Sequence, residues 1–348
     1  MARVRVVTGA RLHFGFENLS LSHERLYGAL GVAIDEPTVE IVAEPAEAID
    51  VTIEADADSL CGDLPDSLCG DLVASLHADV TDYAERSRDL LDVPGVSITV
   101  RSSIPRHAGL GSGTQLALAT LAGVARAYDR EPHVRDRAPR LGRGGRSGLG
   151  VAGFETGGFL LDTGHPTARF TTERPPVGEW EVPAIAARHP IPDDWRFLVV
   201  SPAVDPGRSG DAEDESIRTA VERADPDLAD RIAGIVTRRV LPAVVDGRVG
   251  AFGEAVADVG RLNGAWYADE QGGVYRPPVG GIVASISDSP AVYGAGQSSW
   301  GPAVYGVTDV EHVETAREAG RAALETLGVD GRVRIVRGRN HGAHVDPA

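Results

Sequence analysis

The chain has 348 residues, 42% of them hydrophobic, with 51 acidic against 34 basic residues and a formal charge of −17. All 34 of those basic residues are arginine, and the chain contains no lysine. This excludes a basic nucleic-acid stripe, a Schiff-base lysine and a lysine phosphate anchor; with no apolar run of membrane-spanning length and no secretory leader in view, a soluble, cytoplasmic protein without nucleic-acid or membrane partners is expected.

The acidic, lysine-free balance also suits high salt, which screens self-repulsion, as in halophilic archaea. Alternation predicts a strand over 3–8, followed by a glycine, aromatic and basic patch from Gly9 to Phe16. Further strands are expected over 31–43 and 49–54. Cys61 and Cys69 then sit in a tandem duplication, Asp58 to Leu64 repeated as Asp66 to Leu72. Their spacing fits neither a zinc site nor a redox pair, so a surface segment without a disulfide is expected. A helix over 72–91 and a strand over 96–101 come next.

The segment from Ile104 to Thr114 says most about the chain. A strand feeds a glycine-rich loop, and an Ala/Leu-rich helical run from Gln115 to Tyr128 leaves it. Gly109, Leu110, Gly111, Ser112 and Gly113 lie where backbone N–H groups and a helix start can cradle a phosphate. Without lysine, an anion must be held by N–H groups, hydroxyls, arginine or metal. Five glycines crowd 142–150 around Arg143 and Arg146, and a strand is expected at 159–162.

Prolines between Pro166 and Pro192 mark a junction between domains 1–175 and 190–348. Beyond it, strands at 195–200 and 332–336 and helices over 211–224, 227–245, 249–262 and 310–327 predict an α+β half with an antiparallel-type sheet. The stretch from Ala291 to Gly306 is rich in glycine, serine and aromatic residues. Acidic residues Asp211 to Glu215 read as a helix start on a solvated face, and His341 and His344 as a solvated terminal turn.

The loop Pro105 to Ser112 resembles the phosphate loop of the GHMP kinase superfamily, and the resemblance spans nearly the whole chain. It implies an α+β, two-domain fold: an N-terminal half like ribosomal protein S5 domain 2 and a ferredoxin-like C-terminal half. Many of these kinases carry Ser-Gly-x-Asp followed by a glycine pair. Here that frame reads Ser147, Gly148, Leu149, Gly150, then Gly157 and Gly158, so Gly150 stands where the catalytic aspartate would be. The stretches Arg11 to Gly15, Gly142 to Gly150, Gly157 to Phe159 and Gly296 to Pro302 are similar to a non-kinase branch of the superfamily, the β-ribofuranosylaminobenzene 5′-phosphate synthases.

That similarity implies condensation of 5-phosphoribosyl 1-diphosphate with 4-aminobenzoate or 4-hydroxybenzoate. The products are a C-riboside 5′-phosphate, carbon dioxide and pyrophosphate, in methanopterin-type pterin biosynthesis. It implies Mg²⁺ arriving with the diphosphate, no requirement for ATP, and a homodimer. Arg143 and Arg146 would clamp anions, with Glu155 beside them at the catalytic centre. Glu155 or Asp162 would hold metal or ribose hydroxyls. Arg11, His13, Ser147, Gln297, Ser298, Ser299 and Trp300 would bind substrate, with Phe14 and Trp300 as pocket walls. An ATP-dependent GHMP small-molecule kinase is the alternative reading, in which Glu155 or Asp162 replaces the missing aspartate.

Overall fold

Alternation along the first strands sets the first sheet. In β1 (Val4–Asn18) Val4, Val6 and Thr8 turn inward, while Arg5 turns outward to Glu40 of β2 (Arg25–Ala46), through two contacts of 2.7 Å each. The computed structural model describes residues 2–55, 66–204 and 211–348. The glycine patch after residue 8 does not end β1. The strand passes through irregularities between Gly9 and Arg11 and between His13 and Gly15. Bulges of this kind re-aim side chains next to sites, and here they turn Arg11 and His13 toward the glycine-rich loop.

β2 is the spine of this sheet, whose order is β12-β1-β2-β4-β3. β3 (Ile49–Ile53) and β4 (Gly95–Ser102) form its one parallel pair among the described strands. β5 (Phe159–Asp162) and β6 (His165–Pro166) also pair with β2, and β7 (Ile185–His189) pairs with β5. Behind the sheet lie α1 (Asp66–Leu91) and α2 (Ser112–Ala127). Helix α2 buries residues around its whole circumference, so it is built almost entirely from Leu, Ala, Val and Gly. At Gly123 it comes close to the sheet: a β-carbon there would sit 3.1 Å from Ala43 and Ile41. The short α3 (Leu149–Glu155) lies within the glycine-rich segment.

The second sheet runs β11-β8-β10-β9 and is antiparallel throughout. Its strands are β8 (Trp195–Pro202), β9 (Gly294–Gln297), β10 (Val304–Asp309) and β11 (Gly331–Arg337). In chain order this is the 4-1-3-2 arrangement of a ferredoxin-like sheet. Between β8 and β9 run α4 (Asp211–Arg223), α5 (Pro226–Ile235), α6 (Val249–Trp266) and α7 (Val279–Ser287), and α8 (Val313–Leu327) follows β10. The single helix expected over 227–245 is interrupted by a π-turn at Val236–Val240 before Leu241–Val245. Pro242 has no N–H to donate, and its ring crowds the carbonyl four residues back, so the ladder widens there. The chain then returns to the first sheet, where β12 (His344–Pro347) pairs with β1.

One expectation changes and another is refined. Cys69, in α1, is disulfide-bonded; Cys61 lies outside the described residues. Asp214, on the partly solvated start of α4, is also ion-paired with Arg146 and, at 3.1 Å, with Arg174.

Candidate active site

β4 delivers the chain to the glycine-rich loop and α2 takes it away. Gly109 and Gly111 have φ of +80° and +85°, a region that residues with side chains rarely enter. A β-carbon on Gly109 would lie 2.1 Å from the Ser298 carbonyl oxygen, so the loop presses directly on the turn after β9. The Ser298 hydroxyl accepts from His13 N–H at 3.0 Å and donates to the Gly109 carbonyl at 2.8 Å. Ser299 N–H donates to the His13 carbonyl at 3.2 Å, Arg11 N–H to Leu110 at 3.0 Å, and Ala303 N–H to Ala108 at 3.1 Å. β1, the loop and the turn after β9 are thereby tied into one body. The start of α2, capped by no side chain, opens onto a cleft that Ser112 and Gly113 line.

This cleft encloses about 530 Å³ and is flanked by arginine. On one side the Arg11 guanidinium donates to the Gly109 carbonyl at 2.5 Å. On the other, both terminal nitrogens of Arg143 lie 3.1 Å from the place of a Gly113 β-carbon. Arg143 also donates to the Tyr83 hydroxyl. Arg106 is held by Asp79 at 2.6 Å. Two anchoring arginines astride a helix start suit a diphosphate or a sugar phosphate. Asp79 is the one carboxylate lining the cleft among the described residues, and these include no group of three or more metal-ligating side chains. That donor set fits a magnesium ion carried in by substrate phosphates, which needs only one or two protein carboxylates.

Gly150 packs behind the loop. Its carbonyl accepts from Gln115 Nε2 at 2.8 Å, and a β-carbon there would lie 2.9 Å from Thr114 Cγ2. The Thr114 side chain leaves little space for a carboxylate at this position. Neither proposed substitute reaches the cleft: Glu155 is bound by Arg135 at 2.7 Å. Asp162 is buried and accepts from the N–H groups of Gly148 at 2.7 Å, Gly164 at 2.8 Å and Ala29 at 3.1 Å, and from the Ser147 hydroxyl at 3.2 Å. Burial pushes the Asp162 carboxyl upward, opposed by those hydrogen bonds. Glu155 and Asp162 therefore brace the fold, and Ser147 belongs to the same bracing. Arg146 also stands apart, latched to Asp214 of α4 with 14% of its side chain exposed.

A second, narrower pocket adjoins the cleft and shares Ser299 and Trp300 with it. It is lined by His13, Phe14, Phe16, Tyr267 and Tyr275, with Asn263, Gln271 and Gln297 at its polar positions. The Trp300 and Tyr267 rings meet edge-on with centroids 4.6 Å apart, and His13 and Phe16 at 4.9 Å. Burial and the neighbouring Arg11 charge hold His13 well below the usual imidazole range, so its ring is neutral. None of the lining side chains is acidic or basic apart from this neutral His13. The pocket thus offers an uncharged, aromatic slot that suits a flat ring, beside an arginine-flanked cleft.

Of the residues the sequence pointed to, Arg11, Gly109, Gly111, Ser112, Gly113, Arg143, Ser299 and Trp300 line the cleft, and His13, Phe14, Gln297, Ser299 and Trp300 line the ring pocket. Leu110 turns into the core instead, and Ser298, with no exposed surface, is an internal strut. Sequence reasoning missed Asp79, Tyr83 and Arg106, and all of the α6 side of the ring pocket. Gly260 and Gly264, one turn apart and followed closely by Trp266, Tyr267 and Tyr275, were the available signal. These small residues let neighbours approach: a β-carbon on Gly264 would meet the Val274 carbonyl at 2.1 Å.

Comparison with known proteins gives three results. Residues 75–158 match the family model for the GHMP kinases N terminal domain. The chain is 32% identical over 340 residues to the beta-ribofuranosylphenol 5′-phosphate synthase of Methanothermobacter thermautotrophicus, covering 97% of this chain and 96% of that protein. A protein of the same name from Methanocaldococcus jannaschii is 28% identical over 343 residues, covering 97% of this chain and 98% of its own length. Among solved structures, homoserine kinase from Cytophaga hutchinsonii superposes with a TM-score of 0.63 at 15% identity, over 99% of this chain and 98% of that one. The last likeness shows a shared fold.

Proposed function

The chain belongs to the β-ribofuranosylphenol 5′-phosphate synthase family, and on that premise we propose that it joins 5-phosphoribosyl 1-diphosphate to a 4-substituted benzoate with loss of carbon dioxide and pyrophosphate. The observation that carries this reading is the wall of Ser299 and Trp300 common to the phosphate cleft and the aromatic pocket. Such a shared wall supports a reading in which a sugar diphosphate and a flat ring meet edge to edge.

In this reading the bond between ribose C1 and the diphosphate oxygen breaks, and its electron pair leaves with the diphosphate. The loop N–H groups, Arg11 and Arg143 receive that developing charge. The ring carbon bearing the carboxylate then bonds to C1. Cleavage of the bond to the carboxylate returns a pair to the ring as carbon dioxide leaves, so no general base is needed. Asp79 would help to hold a magnesium ion arriving with the diphosphate, and such an ion would neutralise charge on the leaving group. The protein's own contribution is positioning of the two reactants and exclusion of water by Trp300, Tyr267 and Phe16.

ATP has no part in the proposed reaction. The reading places the enzyme in methanopterin-type pterin biosynthesis, as a cytoplasmic homodimer suited to high salt. No helix among the described residues is long and apolar enough to cross a membrane. The test is to incubate the protein with magnesium, phosphoribosyl diphosphate and carboxyl-labelled 4-hydroxybenzoate, without ATP. Labelled carbon dioxide and pyrophosphate in equal amounts support it. ATP consumption with a sugar, amino-acid or mevalonate-type alcohol, and no carbon dioxide release, would overturn it in favour of a kinase.

A further inference from the structure

The aromatic pocket has a polarity of its own. Gln271 Nε2 is fixed as donor to the Val274 carbonyl at 2.8 Å, which leaves Gln271 Oε1 as the face turned to other groups; its one further contact is Gln297 Nε2 at 3.5 Å. Gln297 is itself oriented, with Oε1 accepting from Arg276 N–H at 3.3 Å and Nε2 donating to the Ser299 carbonyl at 3.0 Å. The Tyr275 hydroxyl lines the same pocket and makes no hydrogen bond among the described residues. It lies 3.8 Å from the place of a β-carbon on Gly260, whose lack of a side chain keeps the space beside it open. Burial raises the Tyr275 phenol to about 12, so it keeps its proton and can donate.

The orientation of a bound acceptor follows from the reaction proposed above, on which this inference rests. The carboxylate-bearing carbon must face ribose C1, and so must point toward the shared wall of Ser299 and Trp300. The substituent para to it then points away from the cleft. Gln271 and Tyr275 line the aromatic pocket and not the cleft, and they keep hydrogen-bonding capacity that Asn263 and Gln297 spend on backbone groups.

We propose that Tyr275 and Gln271 are the donor and acceptor that read the para substituent of the acceptor ring and select hydroxyl over amine. A phenol offers one proton to Gln271 Oε1 and one oxygen lone pair to the Tyr275 O–H. An aniline offers two protons, and its nitrogen pair is delocalised into the ring, which leaves the Tyr275 donor unmatched. The pair also bears on rate. When the ring carbon bonds to C1, positive charge spreads to the para oxygen and makes its proton more acidic. The hydrogen bond to Gln271 Oε1 strengthens at that moment.

The test compares 4-hydroxybenzoate and 4-aminobenzoate in the full-length protein with magnesium and phosphoribosyl diphosphate. Wild type should prefer the hydroxy acid. Tyr275→Phe should lower kcat/KM for the hydroxy acid about tenfold and that for the amino acid by no more than about twofold. Gln271→Met should lower kcat for the hydroxy acid more than it raises KM, and it carries the ratio test if Tyr275→Phe does not fold. An unchanged preference in these variants, or an equal loss with both acceptors, would reduce Tyr275 to a pocket wall and overturn the proposal. Quenching of tryptophan fluorescence by 4-hydroxybenzoate separates this from the wider reading. If wild type releases no carbon dioxide, the synthase reading fails alone when Tyr275→Phe still weakens binding about tenfold, and both fail when binding is unchanged.

Discussion

The Arg11 guanidinium donates to the Gly109 carbonyl at 2.5 Å while its Nε lies 3.3 Å from where a Gly111 β-carbon would be. One arginine thus braces the loop and borders the space in which an anion would sit. Gly111→Ala meets both a φ of +85° and this side chain. It should raise KM for phosphoribosyl diphosphate about tenfold or more, with little change in KM for the aromatic acid, as measured by initial rates with each substrate varied.

Arg143 and Arg146 were indistinguishable in sequence and separate in the fold. Arg143→Ala should raise KM for the diphosphate substrate roughly a hundredfold through loss of a charge-assisted clamp. Arg146→Ala frees Asp214 of α4 and should act mainly on stability, by about 1–2 kcal/mol, with KM for phosphoribosyl diphosphate changed by less than about threefold. Kinetics together with urea unfolding distinguish the two; equal effects on KM would remove the assignment.

Reinstating a carboxylate behind the loop should not create a kinase. Gly150→Asp would drive a β-carbon to 2.9 Å from Thr114 Cγ2, displacing the start of α2. Carbon dioxide release should fall more than about tenfold, and a coupled ADP assay should stay at background with homoserine, mevalonate or galactose.

Asn263 ties α6 to β1 across the ring pocket, accepting from Phe16 N–H and donating to the Phe16 carbonyl at 2.7 Å each. Asn263→Ala leaves two backbone groups without partners and should cost about 2–4 kcal/mol. Denaturant titration measures that loss, and KM for the aromatic acid should rise while KM for the diphosphate substrate holds.

Glu17 provides a pH-dependent term. Burial, with the nearby Asp162 carboxylate, lifts its carboxyl from 4.5 to about 7. The folded state therefore holds a proton that the unfolded chain has released. Its stabilising contribution is complete below about pH 4.5 and is lost as pH rises through about 7. Glu17→Gln should leave stability at pH 5 nearly unchanged and raise it at pH 8 by on the order of 2 kcal/mol. Melting temperatures at constant salt check the sign.

The framework was largely legible in the sequence because it rests on local signals. Alternation marked β1, β3, β4 and β8, and the glycine loop announced the start of α2. The site was only partly legible, because its residues are selected by contacts remote in sequence. Nothing local separates Arg143 from Arg146, since what decides their roles is whether Gly113 or Asp214 stands opposite. Ser298 looked like a substrate ligand, yet its hydroxyl is consumed by His13 and Gly109. Gln271 gave no local signal, and Tyr275 only the one that Gly260 and Gly264 offer just upstream.

The Ser298 hydroxyl bridges partners 285 and 189 residues away along the chain. Such closures are slow to search for and come late in folding. An isolated N-terminal fragment would carry the glycine loop but lack the strut that shapes it. The proposed phosphate capture would therefore report on completed assembly, and a bound diphosphate would act as a rivet through both sheets, raising the melting temperature of the whole protein together.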